Sequence, residues 1–159
     1  METKMNELYR TIAEIIDRMI PVQWEDFYFN GEVENGEGGV FFFFKPENES
    51  EYIYSLEIPG RYNVNSDEYD QLENKLFEVT NDLKKLFLDD GQDPWFSMTM
   101  KLTSEGKLSV VYDYTKWGES TFGPSERLEY WESKYLGHMP EEEEDRIRIE
   151  KMKDFEERK

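Results

Sequence analysis

Apolar residues recur along this chain at two periods, and the switches between them mark out its elements. Leu8, Ile12, Ile15, Ile16 and Met19 step by three and four, which predicts a helix of roughly four turns with one apolar stripe. Pro21 ends it, because proline has no N–H and disfavours helix in the residue before it. Trp24 to Val33 reads as a strand. Glu34-Asn-Gly-Glu-Gly-Gly39 reads as a hairpin turn whose glycines permit positive φ. Val40 to Lys45 is the next strand, and its four consecutive phenylalanines make both faces apolar. Such a strand is either covered on both sides or keeps one face for a partner. After the loop Pro46-Glu-Asn-Glu-Ser50, Tyr52, Tyr54, Leu56 and Ile58 alternate as a third strand, stopped by Pro59 and Gly60.

The most regular element follows. Tyr69, Leu72, Leu76, Val79, Leu83 and Leu86 share one helical face. Asn65 or Ser66 caps its start, the pair Asn65/Glu68 having capping-box spacing, and Gly91 stands where a C-terminal glycine belongs. The stripe also satisfies a short coiled coil, but a chain so full of strand signals places this helix on a sheet. A second hairpin comes next: Phe96, Met98, Met100 and Leu102 on one strand, Leu108, Val110, Tyr112 and Tyr114 on the other, joined by Ser104-Glu-Gly-Lys107. Thr115 to Gly123 is a loop containing Trp117. A helix from Pro124 or Ser125 to Leu136 carries Leu128, Trp131 and Tyr135 and closes at Gly137. Pro140 opens the last helix, Glu141 to about Glu157, whose leading acids suit the positive end of the helix dipole.

The order is α-β-β-β-α-β-β-α-α. Strands arrive in hairpins and not in βαβ crossovers, so the fold class is α+β: one domain over residues 1–159, a mainly antiparallel sheet with helices packed on it. The acidic helix of residues 140–159 is expected at its periphery.

Charge changes the picture. Thirty-seven acidic residues against nineteen basic give a net charge of −18. High net charge usually accompanies few aromatics and disorder, yet 16% of this chain is aromatic, at strand and helix periods. It therefore folds around an aromatic core and presents a negative surface. That surface repels nucleic-acid phosphates and attracts basic proteins; the same charge also serves solubility alone. With no cysteine, disulfides and thiolate catalysis are excluded, which suits a reducing cytoplasm. The polar stretch Met1–Arg10 lacks the apolar core of a signal peptide, and the longest apolar run, Val40–Phe44, is too short for a bilayer. The expectation is a soluble, cytoplasmic protein that binds neither membrane nor nucleic acid directly.

Catalytic chemistry finds little support. Asp89-Asp90 lies at a helix end as a solvated cap. Asp113 has the chemistry of a base or a metal ligand, but no fixed partner stands near it in sequence. The single histidine, His138, cannot make a His-based metal site alone. No Ser-His-Asp set or EF-hand spacing occurs, and Asn35-Gly-Glu-Gly-Gly-Val40 lacks the P-loop lysine. No catalytic, cofactor-binding or metal-binding residue is assigned, and no cofactor is expected. What remains is a surface. Trp95 is expected opposite the Phe96/Met98/Met100 row, and hairpin pairing brings it near Asp113. Acids around aromatics suit a basic partner, so Asp93, Trp95, Asp113, Trp117 and Glu119 are the candidate interface residues. The competing role for both tryptophans is packing beneath the C-terminal helices.

Several stretches together resemble the YezG-type immunity proteins, the group that includes the staphylococcal EsaG antitoxins. They are Asn6-Glu-Leu-Tyr-Arg-Thr-Ile-Ala-Glu-Ile-Ile-Asp17, Val40-Phe-Phe-Phe-Phe-Lys-Pro46 with Tyr52-Ile-Tyr-Ser-Leu56, Gly91-Gln-Asp-Pro-Trp95, Val111-Tyr-Asp-Tyr114, Glu126-Arg-Leu-Glu-Tyr-Trp131 and Lys134-Tyr-Leu-Gly137. Their order and spacing cover nearly all of residues 5–140. The resemblance implies an intracellular antitoxin that neutralises a nuclease toxin delivered by type VII secretion, and it carries over no catalytic residues. The expected function is stoichiometric, non-enzymatic binding of a basic nuclease, either covering its active site or disturbing its fold. The alternatives are an acidic carboxylate-dependent hydrolase or metal-binding enzyme, and a chaperone-like adaptor for several basic clients.

Overall fold

The computed structural model describes residues 1–158. They divide into two compact units, Met1–Tyr114 and Thr115 onward. The first unit holds helix α1 (Glu2–Met19), strands β1 (Trp24–Glu34), β2 (Glu37–Pro46) and β3 (Ile53–Tyr54), the short helix α2 (Ile58–Tyr62), helix α3 (Ser66–Asp89), and strands β4 (Ser97–Thr103) and β5 (Leu108–Asp113). The second holds helices α4 (Pro124–Leu136) and α5 (Glu143–Glu157), preceded by a single 3-10 turn at Trp117–Glu119. Apart from α2 and the 3-10 turns, this is the order expected from the apolar periods.

The five strands form one sheet in the order β3-β2-β1-β4-β5, antiparallel throughout. Register explains the four phenylalanines of β2. Phe29 faces Phe42 and Met100, and Phe27 faces Phe44 and Leu102, so Phe42 and Phe44 belong to the core. Phe43, on the other face, is also buried and stacks on Tyr54 with ring centroids 4.9 Å apart, while Phe41 meets Phe43 edge-on. Both faces of β2 therefore carry a buried phenylalanine, and Phe41 is half-buried. The first hairpin is tighter than its six-residue turn signal: pairing runs on to Glu34↔Glu37, and Asn35 (φ 54) with Gly36 (φ 79) makes a two-residue turn in the left-handed region. Gly38 is demanded by proximity, since a Cβ there would lie 1.9 Å from the Glu32 carbonyl oxygen.

Helices α1 and α3 supply the rest of the first core. Ile12, Ile15, Ile16 and Met19 of α1 pack with Tyr69, Leu76, Val79, Leu83 and Phe87 of α3 and with the sheet phenylalanines. Asn65 caps α3, its side-chain oxygen accepting from the Glu68 N–H at 3.0 Å. Two polar residues also lie in the buried stripe. Thr80 is fully buried against Gly31 of β1, where an added Cβ would come within 2.6 Å of its methyl group. Lys84 donates to the Val33 carbonyl and lies over the Trp95 ring. Burial lowers the pKa of Lys84, opposed by the nearby Glu34.

The third strand departs from the alternation at Tyr52, Tyr54, Leu56 and Ile58. It pairs only through Ile53 and Tyr54, then turns through Ser55–Glu57 into α2. Pro59 opens a helix here instead of stopping a strand, at the helix start where its missing N–H costs nothing. Ser55 is the pivot: its hydroxyl accepts from the Phe42 N–H at 3.1 Å, and its carbonyl accepts from the Tyr69 hydroxyl at 2.6 Å. Leu56, expected to continue the strand alternation, lies in the 3-10 turn and is 70% exposed.

In the second unit, α4 starts as expected. Its N-terminal Glu126 carboxylate accepts from the Gly123 N–H at 2.9 Å, and Gly137 ends it at φ 72. Tyr130 and Trp131 are its buried residues, whereas Leu128 is half-buried. Arg148 of α5 lies against Glu129 of α4 at 2.6 Å and Asp145 at 2.9 Å, with Glu126 at 3.5 Å. Hydrogen bonds to Glu129, foremost, and Asp145 raise its pKa further.

Candidate functional site

The segment between α3 and β4 is built to stop a helix and start a strand. The Gln92 N–H donates to the Phe87 carbonyl at 3.0 Å, and Gly91 turns the chain at φ 76. Asp93 follows on the surface. Trp95 then turns inward and is fully buried. Its ring lies 5.3 Å from Tyr112 and 6.1 Å from Phe87, in the same core as Met98 and Met100. This corrects the face expected for Trp95. The strand begins at Ser97, so residues 93–96 do not obey its two-residue alternation. Phe96 is buried as well, but it lies outside that core cluster. The Trp95 Nε1 finds no acceptor among the described residues.

Asp113 does come back to the start of β4: it pairs with Ser97, and its carbonyl accepts from the Phe96 N–H at 2.8 Å. Yet Tyr112, the residue before it, is the one that meets Trp95. Asp113 therefore points to the opposite face, and Trp95 and Asp113 do not share one. Tyr112 is anchored through its hydroxyl to Tyr9 of α1. Burial pushes the pKa of both phenols up, and in Tyr112 the hydrogen bond with Tyr9 adds to the rise.

Within the second unit, Trp117 is buried in a ring cluster with Phe122, Tyr130 of α4 and Phe155 of α5, at centroid distances of 6.1, 5.7 and 5.3 Å. Its packing role is the one expected as the competitor to an interface role. Glu119 ends the same 3-10 turn and is exposed. Of the five candidates, then, Asp93 and Glu119 are open to a partner, Asp113 is half-buried, and both tryptophans serve packing. Among the described residues, no group of three His, Cys, Asp or Glu side chains is placed to hold a metal ion, and no helix is long and apolar enough to cross a membrane.

One set of surface residues escaped the apolar pattern. Alternation assigns Leu108, Val110, Tyr112 and Tyr114 to one inward row. Because β5 is the outermost strand, Leu108 is 46% and Tyr114 50% exposed, and Val111 on the other face is 50% exposed. Only the strand order could have revealed this, and a single sequence does not contain it.

Comparison with known proteins agrees across nearly the whole chain. The family described as YezG-like immunity protein matches residues 5–150. The type VII secretion system protein EsaG of Staphylococcus aureus is 34% identical over 155 residues, covering 98% of this chain and 93% of EsaG. Immunity protein YezG of Bacillus spizizenii is 35% identical over 137 residues, 86% of this chain and 85% of its own length. Immunity protein YezG of Bacillus subtilis is 32% identical over 142 residues, 89% and 94% of the two chains. With both compact units spanned by that match, the chain belongs to the YezG-like immunity protein family.

Proposed function

We propose that this protein is a cytoplasmic, non-enzymatic antitoxin that binds and neutralises the nuclease domain of a cognate toxin exported by type VII secretion. The observation that carries the immunity role is the family match over residues 5–150. The export route is suggested by the similarity to EsaG, named as a type VII secretion system protein. The nuclease target is supported by charge. An enzyme that holds phosphates must be basic where they bind, and a partner at −18 complements it. Most of that negative excess lies in the first unit. Asp93 and Asp113 there, and Glu119 in the second unit, are the proposed charged contacts. Rim charges of this kind act mainly on encounter and selectivity, and less on total affinity.

The partner is identified by pull-down from the producing strain. One dominant basic nuclease supports immunity, whereas many unrelated clients support the adaptor alternative. With that nuclease in hand, stopped-flow mixing at rising ionic strength tests the charge argument. The association rate is expected to fall several-fold between low and physiological salt, while dissociation changes little, because screening acts on long-range steering. An association rate indifferent to salt removes electrostatic steering from the account.

A further inference from the structure

The two edges of the sheet are treated differently. On the β3 side the edge is blunted. β3 is only two residues long, the chain then turns away, and the Ser55 hydroxyl accepts the outward Phe42 N–H. Natural sheets close their edges in such ways because an open edge recruits another strand. Among the described residues, none of these devices is seen on the β5 side. β5 pairs with β4 in unbroken register from Leu108 to Asp113, with no bulge and no proline. The Thr103 N–H donates to the Lys107 carbonyl and the Phe96 N–H to the Asp113 carbonyl, so the odd-numbered residues aim their backbone groups at β4. By the antiparallel alternation, Leu108, Val110 and Tyr112 turn theirs outward. Among the described residues, no backbone hydrogen bond reaches that outer side.

The open edge is also apolar and stiff. Leu108 and Val111 are about half exposed along it. Tyr112 holds it from behind, packed on Phe87 and Trp95 and tied to Tyr9. A strand fixed in this way loses little further freedom when another strand joins it.

We infer that the outer edge of β5 is the toxin-docking site, and that a basic, extended segment of the toxin adds to the sheet there as a sixth strand. Main-chain bonds to Leu108, Val110 and Tyr112 supply affinity, and Leu108 and Val111 contact the incoming side chains, as in other strand-addition complexes. Charge chooses the occupant. A second copy would bring another −18 to the same place, whereas a basic strand meets an acidic unit, with Asp113 at one end of β5 and Glu105 in the turn before its other end. The inference rests on the immunity reading and deepens it.

Amide hydrogen exchange on the full chain, alone and saturated with the nuclease recovered by pull-down, tests it. The Leu108, Val110 and Tyr112 amides are expected to slow at least ten-fold in the complex. Val110→Pro removes one outward N–H and places its ring on the edge without breaking a bond to β4; it is expected to weaken toxin binding at least ten-fold. Leu108→Pro repeats the test at a more exposed position. A saturated complex whose edge amides exchange as in the free chain overturns the inference and leaves immunity standing. So does full affinity in either folded variant. Protection that grows with concentration of the chain alone overturns the choice of occupant in favour of a second copy. If no complex forms with the nuclease, the immunity reading falls and this inference with it.

Discussion

Replacing Trp95 with alanine is expected to destabilise the protein by about 3–5 kcal/mol, the range for removing a large aromatic from a packed core. In a domain of this size that corresponds to a fall in melting temperature of roughly 6–20 °C. Trp95 is fully buried between Phe87 and Tyr112, and the Lys84 ammonium lies 5.7 Å from its ring centroid. Truncation opens a cavity beside a buried cation and removes the ring that cation faces. Trp95→Phe provides the contrast. The indole N–H makes no hydrogen bond among the described residues, so losing it sacrifices no bond. The phenylalanine variant is expected to lose less than half as much as the alanine variant. Calorimetric melting of the two variants beside the parent decides the matter. Equal losses would mean that the N–H has a partner and that ring volume is not what counts.

Trp117→Ala is the second large effect, again about 3–5 kcal/mol. Its ring closes the cluster of Phe122, Tyr130 and Phe155, which joins the entry loop to both helices of the second unit. The sequence also offers Trp117 as a binding anchor, and an anchor behaves differently. Its truncation typically costs 2 kcal/mol or more of binding while leaving the fold intact. The burial of Trp117 predicts the reverse: a lowered melting temperature, with toxin affinity unchanged at temperatures where the variant remains folded. Melting and toxin titration of the same preparation separate the two. A stable variant with lost affinity would return Trp117 to the interface.

Much of this architecture was legible because several elements obey simple periods. The stripe from Tyr69 to Leu86, bracketed by Asn65 and Gly91, gave α3 nearly to the residue. The methionine row and its partner gave β4 and β5. What failed did so for identifiable reasons. The third strand broke after two residues because Ser55 satisfies the β2 edge with its side chain, and alternation carries no record of such a bond. Thr80 and Lys84 are buried because α3 crosses β1 at Gly31 and Val33, a contact that lies outside any local window. Trp95 faces the core and not the opposite side because β4 starts at Ser97, two residues after Trp95, so the strand alternation does not reach it. The candidate surface was the least legible part. Aromatics among acids read as one cue in the sequence, but Asp93 and Glu119 are exposed and Asp113 is half-buried, while both rings turn into their cores. The open edge at β5 depends on strand order, which hairpin patterns leave undetermined.

The proposed antitoxin role requires that this protein silence a nuclease by binding it. The direct measurement is a titration of the purified cognate nuclease with this protein, following cleavage of a nucleic-acid substrate. Activity is expected to fall in proportion to added protein and to vanish at a fixed molar ratio. Full cleavage in the presence of excess protein would contradict the claim, and so would progressive inactivation by far less than stoichiometric amounts, the behaviour of an enzyme.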